Sequence, residues 1–153
     1  MNSLQGIRIL DLSRILADPW CTKTLAYLGA AVIKIDRPGA GDDTRSCPPF
    51  LQDNAGHETF EAAYYLGTNL NKRSVTCDIS QPARQALIRE LVVHCDVFVE
   101  IFEVGDMARY GLDYASIKAL NPRLVYCSIT CFGKTGPYAE RAGDDHAIQG
   151  MGA

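Results

Sequence analysis

Residues 7–36 read IRILDLSRILADPWCTKTLAYLGAAVIKID, and this stretch decides the fold. Ile7 to Leu12 reads as a strand. Asp18 and Pro19 read as an N-cap and first helical position, opening a helix that runs to about Leu28. Gly29 stops it. Ala31 to Ile35 is a short β-branched run, the form of a strand buried on both faces of a parallel sheet.

The alternation continues outward from this unit. Residues 37–50, RPGAGDDTRSCPPF, crowd Pro38, Gly39, Gly41, Pro48 and Pro49 together and read as loop without helix or strand. Glu58 to Leu66 reads as a short helix, and Ser74 to Ile79 as a third strand. From Pro82 to His94 the residues Ala83, Leu87 and Leu91 share one helical face. Val97 to Ile101 is a fourth strand, Tyr114 to Leu120 a short helix, and Leu124 to Thr130 a fifth strand. From His146 onward the pattern opens another helix. Strands alternating with helices predict an α/β fold, a Rossmann-like, doubly wound parallel sheet in one domain over 1–153.

Composition narrows the function. The chain has 153 residues, 47% hydrophobic and 22% charged, which supports a buried core and argues against disorder. The net charge of -3 leaves no basic excess to neutralise a phosphate backbone, so no nucleic-acid partner is expected. No apolar run approaches the roughly 20 residues of a membrane helix, and the first residues lack a signal-peptide pattern. The expectation is a cytoplasmic or otherwise reducing location, with no membrane partner. The six cysteines show neither CxxC nor metal-ligand spacing. They read as reduced thiols, mostly core filler, with no metal.

In open α/β sheets ligands bind beyond the carboxyl ends of the strands. The loop after strand one, SRILADPWC, lacks the GxGxxG of a dinucleotide site, although Asp36 ends strand two where a ribose contact is placed. Arg37 precedes a rigid Pro-Gly turn and suits a phosphate; a solvated arginine paired with Asp42 or Asp43 is the competing reading. Lys72 and Arg73 read as a solvated strand entrance on the opposite edge. Arg109 and Arg141 follow strands four and five. Asp144 and Asp145 read as carboxylates at a helix N-terminus. His57, His94 and His146 carry no catalytic spacing.

Six stretches together resemble the family III CoA-transferases (the CaiB/BaiF family, which includes formyl-CoA transferase). They are GIRILDLSRILADPWCTKTLAYLGAAVIKIDRPGAGDDTR, NKRSVTCDIS, VFVEIF, GDMARYGLDY, LNPRLVYCSITCFGKTGPYAERAG and IQGMG. The resemblance implies the N-terminal, CoA-binding part of a Rossmann-like large domain. The small domain and the C-terminal return would lie outside it. It implies coenzyme A as a substrate, exchanged between an acyl-CoA and a carboxylic acid, and an interlocked homodimer in the full enzyme. It places the nucleophilic aspartate beyond residue 153, so the chain alone would be inactive; a remnant that at most binds CoA or a partner chain is the alternative. The implied CoA contacts are Leu16, Ala17, Arg37, Cys77, Asp78, Ile79, Ser80, Ile101, Phe102, Glu103, Arg109, Arg141 and Asp144, with Arg37 and Arg109 facing phosphates.

Several positions depart from the family pattern. Asp18 stands for a usual Gly and Ile101 for a usual Asn. Glu103 stands for a small or basic residue, Leu70 for a polar or basic one and Cys131 for a Gly. Asp144 stands for Tyr or His, and the racemase branch uses that His as a base. Asp18 and Glu103 add negative charge near the expected phosphates.

Overall fold

The first strand, β1 (Arg8–Leu12), is buried at every position but its first. Its alternate side chains serve two different cores. Leu10 and Leu12 point to one face, with Ile88, Val92, Phe98, Leu112 and Ile117. Ile9 points to the other, with Ala26, Val32 and Val99. A strand with helices on both sides needs such a run, because its period of two leaves no solvent face. The structure is a computed structural model and describes residues 2–152.

Around β1 the chain lays down β2 (Ala31–Asp36), β5 (Lys72–Thr76), β6 (Val97–Glu100) and β7 (Val125–Ser128). The sheet order is β5-β2-β1-β6-β7, and every pairing is parallel. Leu10 lies beside Ile33 on one flank and beside Phe98 on the other. The order reverses between β1 and β6, so the crevice beyond their carboxyl ends is the topological switch point. α1 (Ala17–Tyr27) covers one face. α3 (Pro82–Val93), the short α4 (Asp106–Arg109) and α5 (Tyr114–Leu120) serve the other.

Local differences from expectation have physical causes. α1 begins at Ala17 with Leu16 at the N-cap and no side-chain cap, so Asp18 sits inside the first turn rather than capping it. Pro19 is tolerated there because an N–H in the first turn has no helical partner to lose. Gly29 ends α1 as expected: its φ of +102° and the bond from its N–H to Ala26 O make the left-handed stop. Loop 37–50 contains a 3₁₀ turn, Asp43–Ser46, capped by the Asp42 carboxylate accepting from Thr44 N.

Residues 58–62 are strand, not helix. β3 (Phe50–Gln52) and β4 (Glu58–Ala62) form an antiparallel hairpin, and only then does α2 (Ala63–Asn69) start. The turn between them is tied by the Asp53 carboxylate, which accepts from the N–H groups of Ala55 and His57. β5 is displaced toward the N-terminus relative to the expected 74–79. Asp78 ends it early by accepting from Ser80 N and Ser80 Oγ, turning the chain into α3. α6 (Asp145–Met151) closes the described chain, and Asp144 caps it through Ala147 N at 2.9 Å. Of the six thiols Cys77 and Cys95 are buried and half-buried Cys127 packs against the α1-side core, so half of them are core filler; all six are free.

Candidate nucleotide cleft and the charged layer beneath it

Polar residues take over the α1 side of the sheet toward its carboxyl edge. Two residues beyond Ile9 comes Asp11, and two beyond Val32 comes Lys34; both are completely buried. Lys34 Nζ donates to Asp42 Oδ2 and to Ser13 O, each at 2.8 Å. Lys72 reaches across from β5 to Asp11 Oδ2 at 3.0 Å, and also donates to Pro19 O and Asn69 Oδ1. Lys72 is therefore not a solvated entrance residue. Its stem crosses the sheet face and its ammonium is almost wholly buried. Burial pushes its pKa down against the opposing pull of Asp11.

This layer fastens the loops of the ligand edge. Burial pushes Asp42 up, but Lys34 and the Thr44 donors outweigh it and hold the carboxyl below its ordinary range. Asp42 Oδ1 also accepts from Ile15 N at 3.3 Å, joining the loop after β1 to the loop after β2. On the other face Glu100, fully buried at the end of β6, accepts from Phe102 N at 2.7 Å and from Lys134 Nζ at 2.8 Å. That carboxylate sets the turn carrying residues 101–103. Burial, followed by the Glu100 charge, pushes the Tyr126 hydroxyl upward.

Over these supports lies a cleft of about 220 Å³, lined by residues from the carboxyl ends of β1, β2, β5 and β6. Of the expected contacts it gathers Arg37, Cys77, Asp78, Ile79, Ser80 and Phe102. Arg37 bonds Asp43 and donates through Nε to Gly41 O at 3.3 Å, so both readings of this arginine meet: it pairs with Asp43 and it faces the cleft.

The other expected contacts lie off this cleft. Leu16 and Ala17 open α1 on the same edge. Glu103 lines a second hollow beside α4 and Lys134, and Ile101 is half-buried and lines neither. Arg109 is 70% exposed and paired with Asp106. Arg141 stacks over Tyr138 at 4.4 Å, and Asp144 caps α6.

Of the lining residues that sequence alone did not single out, Arg14 and Tyr110 bear on the chemistry. Arg14 sits 3.6 Å from Asp43 and 5.8 Å over the Phe102 ring, with its Nε buried and unpaired among the described residues. Its signal was position alone, the second residue after β1. Tyr110 meets Phe102 edge to face at 6.5 Å. The cleft thus combines two guanidinium groups with an aromatic wall. That donor set suits phosphates joined to a planar base. Asp36, the ribose candidate, is held by Ser74 Oγ at 2.6 Å.

Comparison with known proteins finds relatives along nearly the whole of this chain. The succinate–glutarate CoA-transferase of Agrobacterium fabrum is 51% identical over 148 residues, covering 97% of this chain and 37% of that protein. The human succinyl-CoA:glutarate CoA-transferase is 48% identical, covering 99% of this chain and 34% of that one. A CAIB/BAIF family crystal structure from Brucella suis superposes with a TM-score of 0.90 at 51% identity, over 99% of this chain and 39% of its own. The chain spans between a third and two-fifths of the length of these relatives. The model of CoA-transferase family III matches residues 4–153, and the chain belongs to that family.

Proposed function

We propose that this chain is the N-terminal, CoA-holding part of an enzyme that moves CoA between an acyl-CoA and a carboxylic acid. It grips the nucleotide end of CoA in the cleft under Arg14 and Arg37. The observation that carries this is the pairing of two arginines with the Phe102–Tyr110 wall at the carboxyl edge, in a chain of this family. Asp43 holds both guanidinium groups from one side. A phosphate would replace a solvent-screened carboxylate contact with charge-assisted hydrogen bonds. The six cleft residues are proposed as nucleotide contacts. Leu16, Ala17, Ile101 and Glu103 are proposed to follow the pantetheine chain of CoA away from it.

Calorimetry with CoA and with pantetheine, which lacks the nucleotide, tests this. CoA is expected to bind at least tenfold more tightly than pantetheine. Arg37→Ala or Arg14→Ala should remove about tenfold or more of CoA affinity, the weight of one charge-assisted bond. Equal affinity for the two ligands would overturn the reading.

A further inference from the structure

The charged layer holds one group too many. Asp11 is matched by Lys72 and Asp42 by Lys34. Asp18, on the sheet-facing side of α1 with Thr22 and Ala26, is fully buried as well. Neither of its carboxyl oxygens has a hydrogen-bond partner among the described residues. Both ammonium groups within its field are already committed: Lys34 to Asp42 and Ser13 O, Lys72 to Asp11, Pro19 O and Asn69. Thr22 Oγ1 is turned to Asp11 at 2.6 Å.

We propose that Asp18 is a positioning residue, a proton-operated latch on the first turn of α1: protonated, it lets the turn seat against the sheet; ionised, it releases the turn to water. Ala17 opens that turn and Leu16 immediately precedes it, so its seating sets where those two residues stand. The coupling to ligand rests on the proposed reading of Leu16 and Ala17 as CoA contacts.

The surroundings fix the direction. From β1 and β6, Asp11 and Glu100 repel a charge on Asp18, while Lys34 of β2 and Lys72 of β5 attract it. Cys21 of α1 and Cys127 of β7 also lie within its field, their thiols pushed up first by burial. Desolvation dominates, then the two acids, and the carboxyl is raised to about 8. In the released turn it returns to its ordinary acidity. Release therefore sheds a proton, and the seated state loses about tenfold against the released state per pH unit between about 4 and 8.

Amide hydrogen exchange on the whole chain reads this equilibrium even where release is rare. Protection factors at Trp20, Cys21 and Thr22 are expected to fall about a hundredfold from pH 5 to pH 7. In Asp18→Asn, which keeps the shape without the proton, they should stay level. Level factors in the wild type, or an equal fall in the variant, would overturn the latch. Adding CoA at ten times its dissociation constant at pH 7 should raise wild-type protection at these amides about tenfold. A CoA response confined to the cleft would overturn the coupling. A chain with no CoA response anywhere would refute the proposed function, while the pH series would still decide the latch.

Discussion

Lys34→Met tests the layer on which the ligand edge rests. Methionine keeps the stem and its packing but deletes the ammonium. The lysine and its partner Asp42 are both completely buried and meet at 2.8 Å. After the change Asp42 Oδ1 keeps Thr44 N, Thr44 Oγ1 and Ile15 N, but Oδ2 loses its one partner among the described residues. Leaving one member of a buried pair uncompensated costs about 3–5 kcal/mol. A domain of this size has roughly 5–15 kcal/mol in total. With a urea slope of about 2 kcal/mol per molar, the midpoint should fall by about 2 M.

The contribution of Asp42 to the pH dependence should also reverse, on top of the decline with rising pH that Asp18 gives both proteins. In the wild type Asp42 is held below its ordinary value, so its contribution is present at neutral pH and lost as pH falls through the native value. Without Lys34, desolvation is the largest influence left on it, and the variant should lose stability as pH rises. Urea titrations at pH 5 and pH 8 measure both effects, the variant losing more stability than the wild type over this interval. In a double-mutant cycle with Asp42→Asn, the two changes should couple by about 2 kcal/mol or more. A single variant within about 1 kcal/mol of wild type, with an unchanged slope, would refute the reasoning.

Three further outcomes follow from the same structure. Asp18 is raised to about 8 when folded, so the unfolded chain binds fewer protons and stability declines as pH climbs from about 4 to 8; Asp18→Asn should match the wild type at pH 4 and exceed it by up to about 1.4 kcal/mol per unit above that, read from urea midpoints. Phe98 is fully buried beside Tyr126 at 5.2 Å, and Phe98→Ala should cost about 3–5 kcal/mol by thermal or urea unfolding. The edge strand β7 shows Val125 at 61% exposure and Phe60 of the hairpin is fully exposed, so the chain should self-associate in light scattering, and Val125→Lys should shift it toward monomer.

The parallel sheet was legible because buried strands need β-branched runs and their crossover helices need stops. Ala31–Asp36 and Val97–Glu100 met the first need, and Gly29 and Pro82 supplied the punctuation. The hairpin was not legible from periodicity. Glu58, Phe60 and Glu61 are exposed, so no inward face imposes an alternating pattern. The turn sequence Asp53-Asn54-Ala55-Gly56 was the signal that could have found it. Arg37 and residues 77–80 could be placed at the ligand edge because they follow strands. Arg14 and Tyr110 could not, since their relation to Phe102 depends on how two loops fold together. Lys72 was misplaced for a related reason: a position at a strand entrance does not tell which way a long side chain runs, and Asp11 drew it inward.

The proposed role of the cleft beyond β1, β2, β5 and β6 is to hold the nucleotide end of CoA. Titrating CoA into the isotopically labelled chain and following backbone and arginine side-chain NMR shifts tests it most directly. Saturable shifts are expected to concentrate at Arg14, Arg37, Cys77–Ser80, Phe102 and Tyr110, with much weaker ones for pantetheine. Shifts absent from these residues, or gathered at the β3–β4 hairpin or the second hollow beside Lys134, would contradict it.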